Sequence, residues 1–150
     1  MTGVYVTLSG LVRIEISQIE DKVVPVLKRY EQIAGAYLFG SALDMCRPDS
    51  DIDIGLLLMP GQVESEKDYD LIEARIFRDL PPLNGHPIDL VFLDQQNAIF
   101  SYKVIKNGKL IFSRDLNAIT DFIESVSIRY RVAYPRYRQA LEMIAMGESK

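Results

Sequence analysis

The stretch Ser50-Asp51-Ile52-Asp53-Ile54-Gly55-Leu56-Leu57-Leu58 constrains this chain more than any other. Side chains alternate across a strand, so Asp51 and Asp53 project from one face while Ile52, Ile54 and Leu56 project from the other and enter a core. Two carboxylates are thereby held side by side. Without a cation between them each raises the other's pKa, so the pattern points to a hard divalent metal, magnesium or manganese. Asp89, near the start of a second apolar strand over Ile88 to Leu93, supplies a third carboxylate if the two strands are neighbours. Asp94 is a rival for that position, but it lies at the far end of the strand and is expected to cap the helix that follows.

Upstream, Ile19, Val23, Leu27 and Tyr30 recur at helical spacing, and Ser17 with Glu20 reads as a capping box that opens a helix ending near Ile33. Pro25 is expected to kink or interrupt it, and Gly35 to break it. The apolar run Ala36 to Phe39 reads as a buried strand stopping at Gly40-Ser41, where backbone can approach a phosphate closely and a hydroxyl can donate to it. Ala42 to Ser50 has the composition of a loop and Pro60-Gly61 stops the acidic strand. A helix is expected between Glu64 and Leu80, closed by Pro81-Pro82. Phe100 and Val104 predict a short helix closed by Asn107-Gly108, Lys109 to Ser113 an edge strand, and 116–146 one long or broken helix containing Pro135. This order predicts an α/β (α+β) fold, a small mixed sheet of about four strands flanked by helices.

Composition bounds the rest. The 150 residues, 48% of them hydrophobic, suit a single domain spanning 1–150. A net charge of -4 disfavours an extended nucleic-acid partner. The longest apolar stretch, Ile52 to Pro60, is about half of what a membrane span needs, so no membrane association and a cytoplasmic location are expected. Cys46 and His86 are the only residues of their kinds, which excludes an internal disulfide, a cysteine zinc site and any chemistry requiring two histidines. His86 reads as a loop residue, and Cys46 as a loop thiol open to oxidation. The segment Arg129, Tyr130, Arg131, Tyr134, Arg136, Tyr137 and Arg138 reads as a solvated helix face with its tyrosines partly on the sheet, in preference to a partner contact.

Gly40-Ser41, a spacer over 42–50, Asp51-Ile52-Asp53 and the later Asp89 in Pro87-Ile88-Asp89-Leu90-Val91 together resemble the nucleotidyltransferase superfamily related to polymerase beta. Small size, Tyr37-Leu38-Phe39-Gly40-Ser41 and Lys106-Asn107-Gly108-Lys109-Leu110-Ile111-Phe112 resemble, more narrowly, the minimal nucleotidyltransferase antitoxins of the HEPN/MNT toxin–antitoxin systems, over about Ile19 to Leu141. The resemblance implies a polymerase-beta-type fold and transfer of AMP from ATP to a tyrosine hydroxyl of a partner HEPN-domain ribonuclease toxin, which is thereby neutralised. It further implies that Asp51 and Asp53 bind two magnesium ions, that Asp89 binds one of them and activates the attacking hydroxyl, and that Gly40 and Ser41 hold the triphosphate. Many relatives carry an Arg-Gly shortly after Gly-Ser, where this loop has Leu43, Asp44 and Met45, and Arg47 is the residue expected to supply the positive charge instead. Two alternatives accompany this reading. One is nucleotidylation of a small-molecule hydroxyl, as in aminoglycoside modification, and the other is a catalytically silent module that neutralises a toxin by binding alone.

Overall fold

The computed structural model describes residues 4–6, 10–80 and 83–147, the first three by their backbone only. The elements in chain order are β1 (Val4–Val6), β2 (Val12–Ile14), α1 (Ile16–Leu27), β3 (Ile33–Phe39), a 3-10 turn (Gly40–Leu43), β4 (Met45–Cys46) and β5 (Ile52–Leu58). There follow α2 (Glu66–Asp79), β6 (Ile88–Phe92), a second 3-10 turn (Leu93–Gln95), α3 (Ala98–Asn107), β7 (Lys109–Ser113) and α4 (Leu116–Ala145). The central sheet is mixed and four-stranded, in the order β6-β5-β3-β7. Its β5–β6 pair is parallel, and β3 runs antiparallel to both β5 and β7. The α/β class, the four strands and the edge position of Lys109 to Ser113 are as expected.

Alternation along the strands separates two apolar layers. Ala36 and Leu38 of β3, Ile52, Ile54 and Leu56 of β5, and Ile88, Leu90 and Phe92 of β6 join Ile19, Val23 and Leu27 of α1 and Ile72 and Ile76 of α2 in the larger core. On the other face Tyr37 and Leu57 join Leu93, Val104 of α3 and Ile119 of α4, with Phe39, Phe100 and Phe122 partly buried against them. Asp53 alternates with the core residues of β5, so it belongs to the face covered by α3 and α4.

Several local expectations are corrected. Ser17 and Glu20 form no capping box, because α1 begins at Ile16 with Glu15 in the cap position and no side-chain cap bond. The helix ends at Leu27, two residues past Pro25, rather than near Ile33. A distant residue holds its end and the chain that follows: the Arg114 guanidinium donates to Lys28 O, at the helix cap, at 2.8 Å and to Tyr30 O at 3.3 Å, and through Nε to Ile33 O at the start of β3 at 3.0 Å. No local signal in residues 16–33 reports that cap. Gly35 is a member of β3, and the reason for a glycine there is packing, since a Cβ would stand 2.7 Å from Ile119 Cδ1. Within Ala42 to Ser50 a two-residue strand, β4, pairs with β2, which pairs with β1, forming a second, three-stranded sheet that the periodicity did not predict. Cys46 is buried in that strand, and burial pushes its thiol pKa up, so it is not an exposed oxidisable loop thiol. Helix α4 runs unbroken through Pro135. The breakers Pro81-Pro82 lie outside the described residues. No helix among the described residues is long and apolar enough to cross a membrane.

Candidate active site

Asp53 and Asp89 are direct register partners in the parallel β5–β6 pair, so their side chains leave the same face of the sheet on neighbouring strands. Asp51 lies exposed at the residue before β5 begins. The three carboxylates meet electrostatically: Asp53 is pushed up to about 6, first by partial burial and then by the charges of Asp89 and Asp51. Burial without a counter-charge and two like charges act in one direction, which is the condition a divalent cation relieves. Among the described residues no three His, Cys, Asp or Glu side chains are gathered into a ready-made metal cage. The exposed Asp51 and Asp89 with the half-buried Asp53 instead offer a partial set of hard oxygen donors, the kind magnesium completes with waters and substrate phosphate. The donor set therefore fits such an ion.

Gly40 is fitted closely against this row. It follows β3, has φ +79°, and a Cβ built on it would land on Asp53 Oδ2. A side chain there would be strained by its backbone conformation and would displace the carboxylate. Ser41 is exposed in the 3-10 turn, whose carbonyl accepts from the Asp44 amide at 3.1 Å. Arg47 is exposed but committed within its own loop, its guanidinium meeting Asp49 twice at 3.3 Å.

Two further residues that bear on the site were not visible in the sequence as such. His86 is 1% exposed, and its Nδ1 donates to Ser50 O at 2.7 Å, while the Ile52 amide donates to Pro87 O at 2.8 Å. His86 lies in the loop before β6, as expected, and there it is a buried clamp that fixes the backbone immediately before Asp51 to the backbone immediately before β6. A histidine beside a proline in a turn gives no sign of burial, so nothing local could have revealed it. Glu73 of α2 is the second: its pKa is raised by burial, then by Asp70 and Asp89, which brings a further acid into the field of the row. Asp94, the rival third carboxylate, accepts from the Tyr69 hydroxyl, and Asn97 rather than Asp94 caps α3 by accepting from the Phe100 amide at 2.8 Å. The tail tyrosines pack on α3 rather than on the sheet: Tyr130 stacks on Tyr102 with centroids 3.8 Å apart.

A carboxylate row at the ends of neighbouring strands beside a Gly-Ser turn defines the class of enzymes that move a nucleotidyl group. The chain belongs to the family described as Polymerase beta, Nucleotidyltransferase, which matches residues 21–117. Solved structures share the fold. An MNT antitoxin complex with a tri-AMPylated HEPN toxin of Shewanella oneidensis matches at 20% identity and TM-score 0.60, over 88% of this chain and 99% of that one. The toxin–antitoxin pair MntA–HepT matches at 20% identity and TM-score 0.58, over 87% and 98%. A toxin–antitoxin structure with AMP-PNP matches at 20% identity and TM-score 0.56, over 85% and 98%. A comparison with curated protein sequences gives no match.

Proposed function

We propose that this protein is an antitoxin that transfers AMP from ATP to a tyrosine hydroxyl of a partner HEPN-domain toxin, and so silences it in the cytoplasm. The observation that carries the reading is the Asp53–Asp89 pair on one sheet face with Gly40 fitted against Asp53. Support for the acceptor comes from structural relatives described as an MNT antitoxin with a tri-AMPylated HEPN toxin, and as a toxin–antitoxin with AMP-PNP. Asp51, Asp53 and Asp89 would hold two magnesium ions, which supply charge neutralisation at the α-phosphate and at the attacking and leaving oxygens.

The chain's own residues account for the remaining work. Gly40 keeps the Asp53 carboxylate uncovered and leaves room for phosphate at the turn, with the Ser41 hydroxyl as donor. Asp89 accepts the proton of the incoming tyrosine hydroxyl as its oxygen bonds to the α-phosphorus, and the bond from that phosphorus to the bridging oxygen breaks to release pyrophosphate. His86 holds the row in register. Incubation with ATP, magnesium and a HEPN partner, read by intact mass, tests this. The expected result is a gain of one or more AMP units on the partner with Asp53→Asn inert, and an Asp53→Asn protein with undiminished transfer would sink the metal assignment. The engagement of Arg47 by Asp49 favours, as a second reading, neutralisation by binding alone. That reading expects a stable complex in which the partner's mass is unchanged.

A further inference from the structure

Helix α4 spans the central sheet from one end to the other. Near its start, Asp121 and Phe122 line a hollow with Leu57 and Leu58, at the end of β5 away from the acids. From Phe122 to Tyr137 the helix advances about 22 Å, which matches the roughly 20 Å length of β5. Tyr137 is thereby delivered to the acid end. Its hydroxyl accepts from Lys103 Nζ at 3.1 Å, with the ammonium 5.1 Å from the centroid of its ring. Lys103 in turn lines, with Phe39, Gly40 and Phe100, a cleft of about 350 Å³. Two of those residues adjoin the carboxylate row: Gly40 is fitted against Asp53, and Phe39 is the register partner of Asp53 in β3.

The other tyrosine side chains among the described residues are placed elsewhere. Tyr37 is buried in the core, Tyr30 donates to Asp79, and Tyr69 donates to Asp94. Tyr102 and Tyr130 stack on each other, and Tyr134 lies exposed with its ring tilted against Tyr130 at 5.2 Å between centroids. Tyr137 is therefore the tyrosine whose hydroxyl is held by a residue of the cleft beside the acids. A phenol that accepts from an ammonium still carries its own proton, so it becomes a nucleophile once a base takes that proton.

We infer that Tyr137 is a self-acceptor: without a partner, the chain transfers AMP from ATP to its own Tyr137 hydroxyl, an assignment resting on the nucleotidyl-transfer reading above. Tyr137 Oη bonds to the α-phosphorus, the bond from that phosphorus to the oxygen bridging to the β-phosphate breaks, pyrophosphate leaves, and the phenolic proton passes to Asp89. The product is a phosphodiester, which places about one negative charge between Arg136 and Arg138 in the sequence of α4. The basic and aromatic segment of α4 thus gains a chemical role, as the part of the chain that presents this hydroxyl.

Intact mass and peptide mapping of the purified chain, incubated alone with ATP and magnesium, test the assignment. The expected result is a gain of one AMP unit on the peptide carrying Tyr137, lost in Tyr137→Phe and in Asp53→Asn and kept in Tyr134→Phe. Tyr137→Phe should still transfer AMP to a HEPN partner, which shows that it is folded and active. Asp53→Asn keeps the acceptor without the metal site, and Tyr137→Phe keeps the metal site without the acceptor. A mixture of the two should stay unlabelled, because the hydroxyl is served within its own chain, and labelled Asp53→Asn would overturn that intramolecular assignment. A wild-type chain that modifies the partner yet gains no AMP on Tyr137 when alone would overturn the self-acceptor and leave the proposed function standing. Labelling of Tyr137 with no transfer to any HEPN partner would do the reverse, and no transfer to either would remove both.

Discussion

Asp53 is held in a position that costs stability. Its pKa is raised from 3.8 to about 6, so the folded state binds this proton more tightly than the unfolded state does. The favourable contribution is fully present below pH 3.8 and is lost as pH rises towards about 6. Removing the charge without changing shape, as in Asp53→Asn, should therefore raise the melting temperature near neutral pH by roughly 2–4 °C, equivalent to about 1 kcal/mol after allowance for solvent screening. The gain should vanish at pH 4, and magnesium with ATP should stabilise the wild type but not the variant. Melting curves across that pH range check both statements. An Asp53→Asn protein no more stable than wild type at pH 7 would mean that neither burial nor the neighbouring carboxylates penalise the Asp53 charge. Gly40 makes the complementary prediction. Gly40→Ala, at φ +79° and against Asp53 Oδ2, should lose about 1–3 kcal/mol of stability and at least about a hundredfold in transfer. Denaturant titration and the transfer assay measure the two losses separately.

The elements show which features are local and which depend on distant partners. His86→Ala would leave the Ser50 carbonyl without its donor and open a cavity between the starts of β5 and β6. We expect a loss of about 2–4 kcal/mol, with metal affinity falling alongside it. His86→Gln, which can present an amide N–H to the same carbonyl, should recover part of both. Arg114→Ala should uncap α1 at a cost of about 1–2 kcal/mol and leave the carboxylate row in place. Its melting temperature should fall while nucleotide affinity at a permissive temperature stays unchanged. Strands β3, β5 and β6 were readable because each is an apolar run wide enough to define a face, ended by a turn or by the acids themselves. The three-residue strands β1 and β2 and the two-residue β4 carry too little pattern, and they exist only through their pairing with one another. Ser17 and Glu20 have the spacing of a capping box, yet the helix starts at Ile16 because Val12 and Ile14 of β2 enter the core just ahead of it and fix where the chain turns.

At the scale of the molecule, the candidate site gathers residues near positions 40, 51–53, 86 and 89 onto one end of the central sheet. The identities of Gly40, Ser41, Asp51, Asp53 and Asp89 were legible because their chemistry is unusual at such spacing. Their arrangement was legible only in part. Alternation places Asp51 and Asp53 on one face, but the neighbourhood of β5 and β6, which makes Asp89 their partner, is a property of the sheet order. The cleft of Phe39, Phe100 and Lys103 was not legible, since each reads as an ordinary core or surface residue until α3 is laid across β3. Sequence chemistry thus named the acids, and topology added the hydrophobic and basic groups around them.

On the proposed function, the acids at the ends of β5 and β6 form a metal-dependent nucleotide site. Manganese is a paramagnetic stand-in for magnesium, and its binding to the protein can be followed by electron paramagnetic resonance in the presence of a non-hydrolysable ATP analogue. The wild type is expected to retain up to two manganese ions per chain in a nucleotide-dependent manner, and Asp53→Asn to lose them while remaining folded. Nucleotide-dependent manganese binding that is unchanged in Asp53→Asn and in Asp89→Asn would show that these acids do not hold the metal.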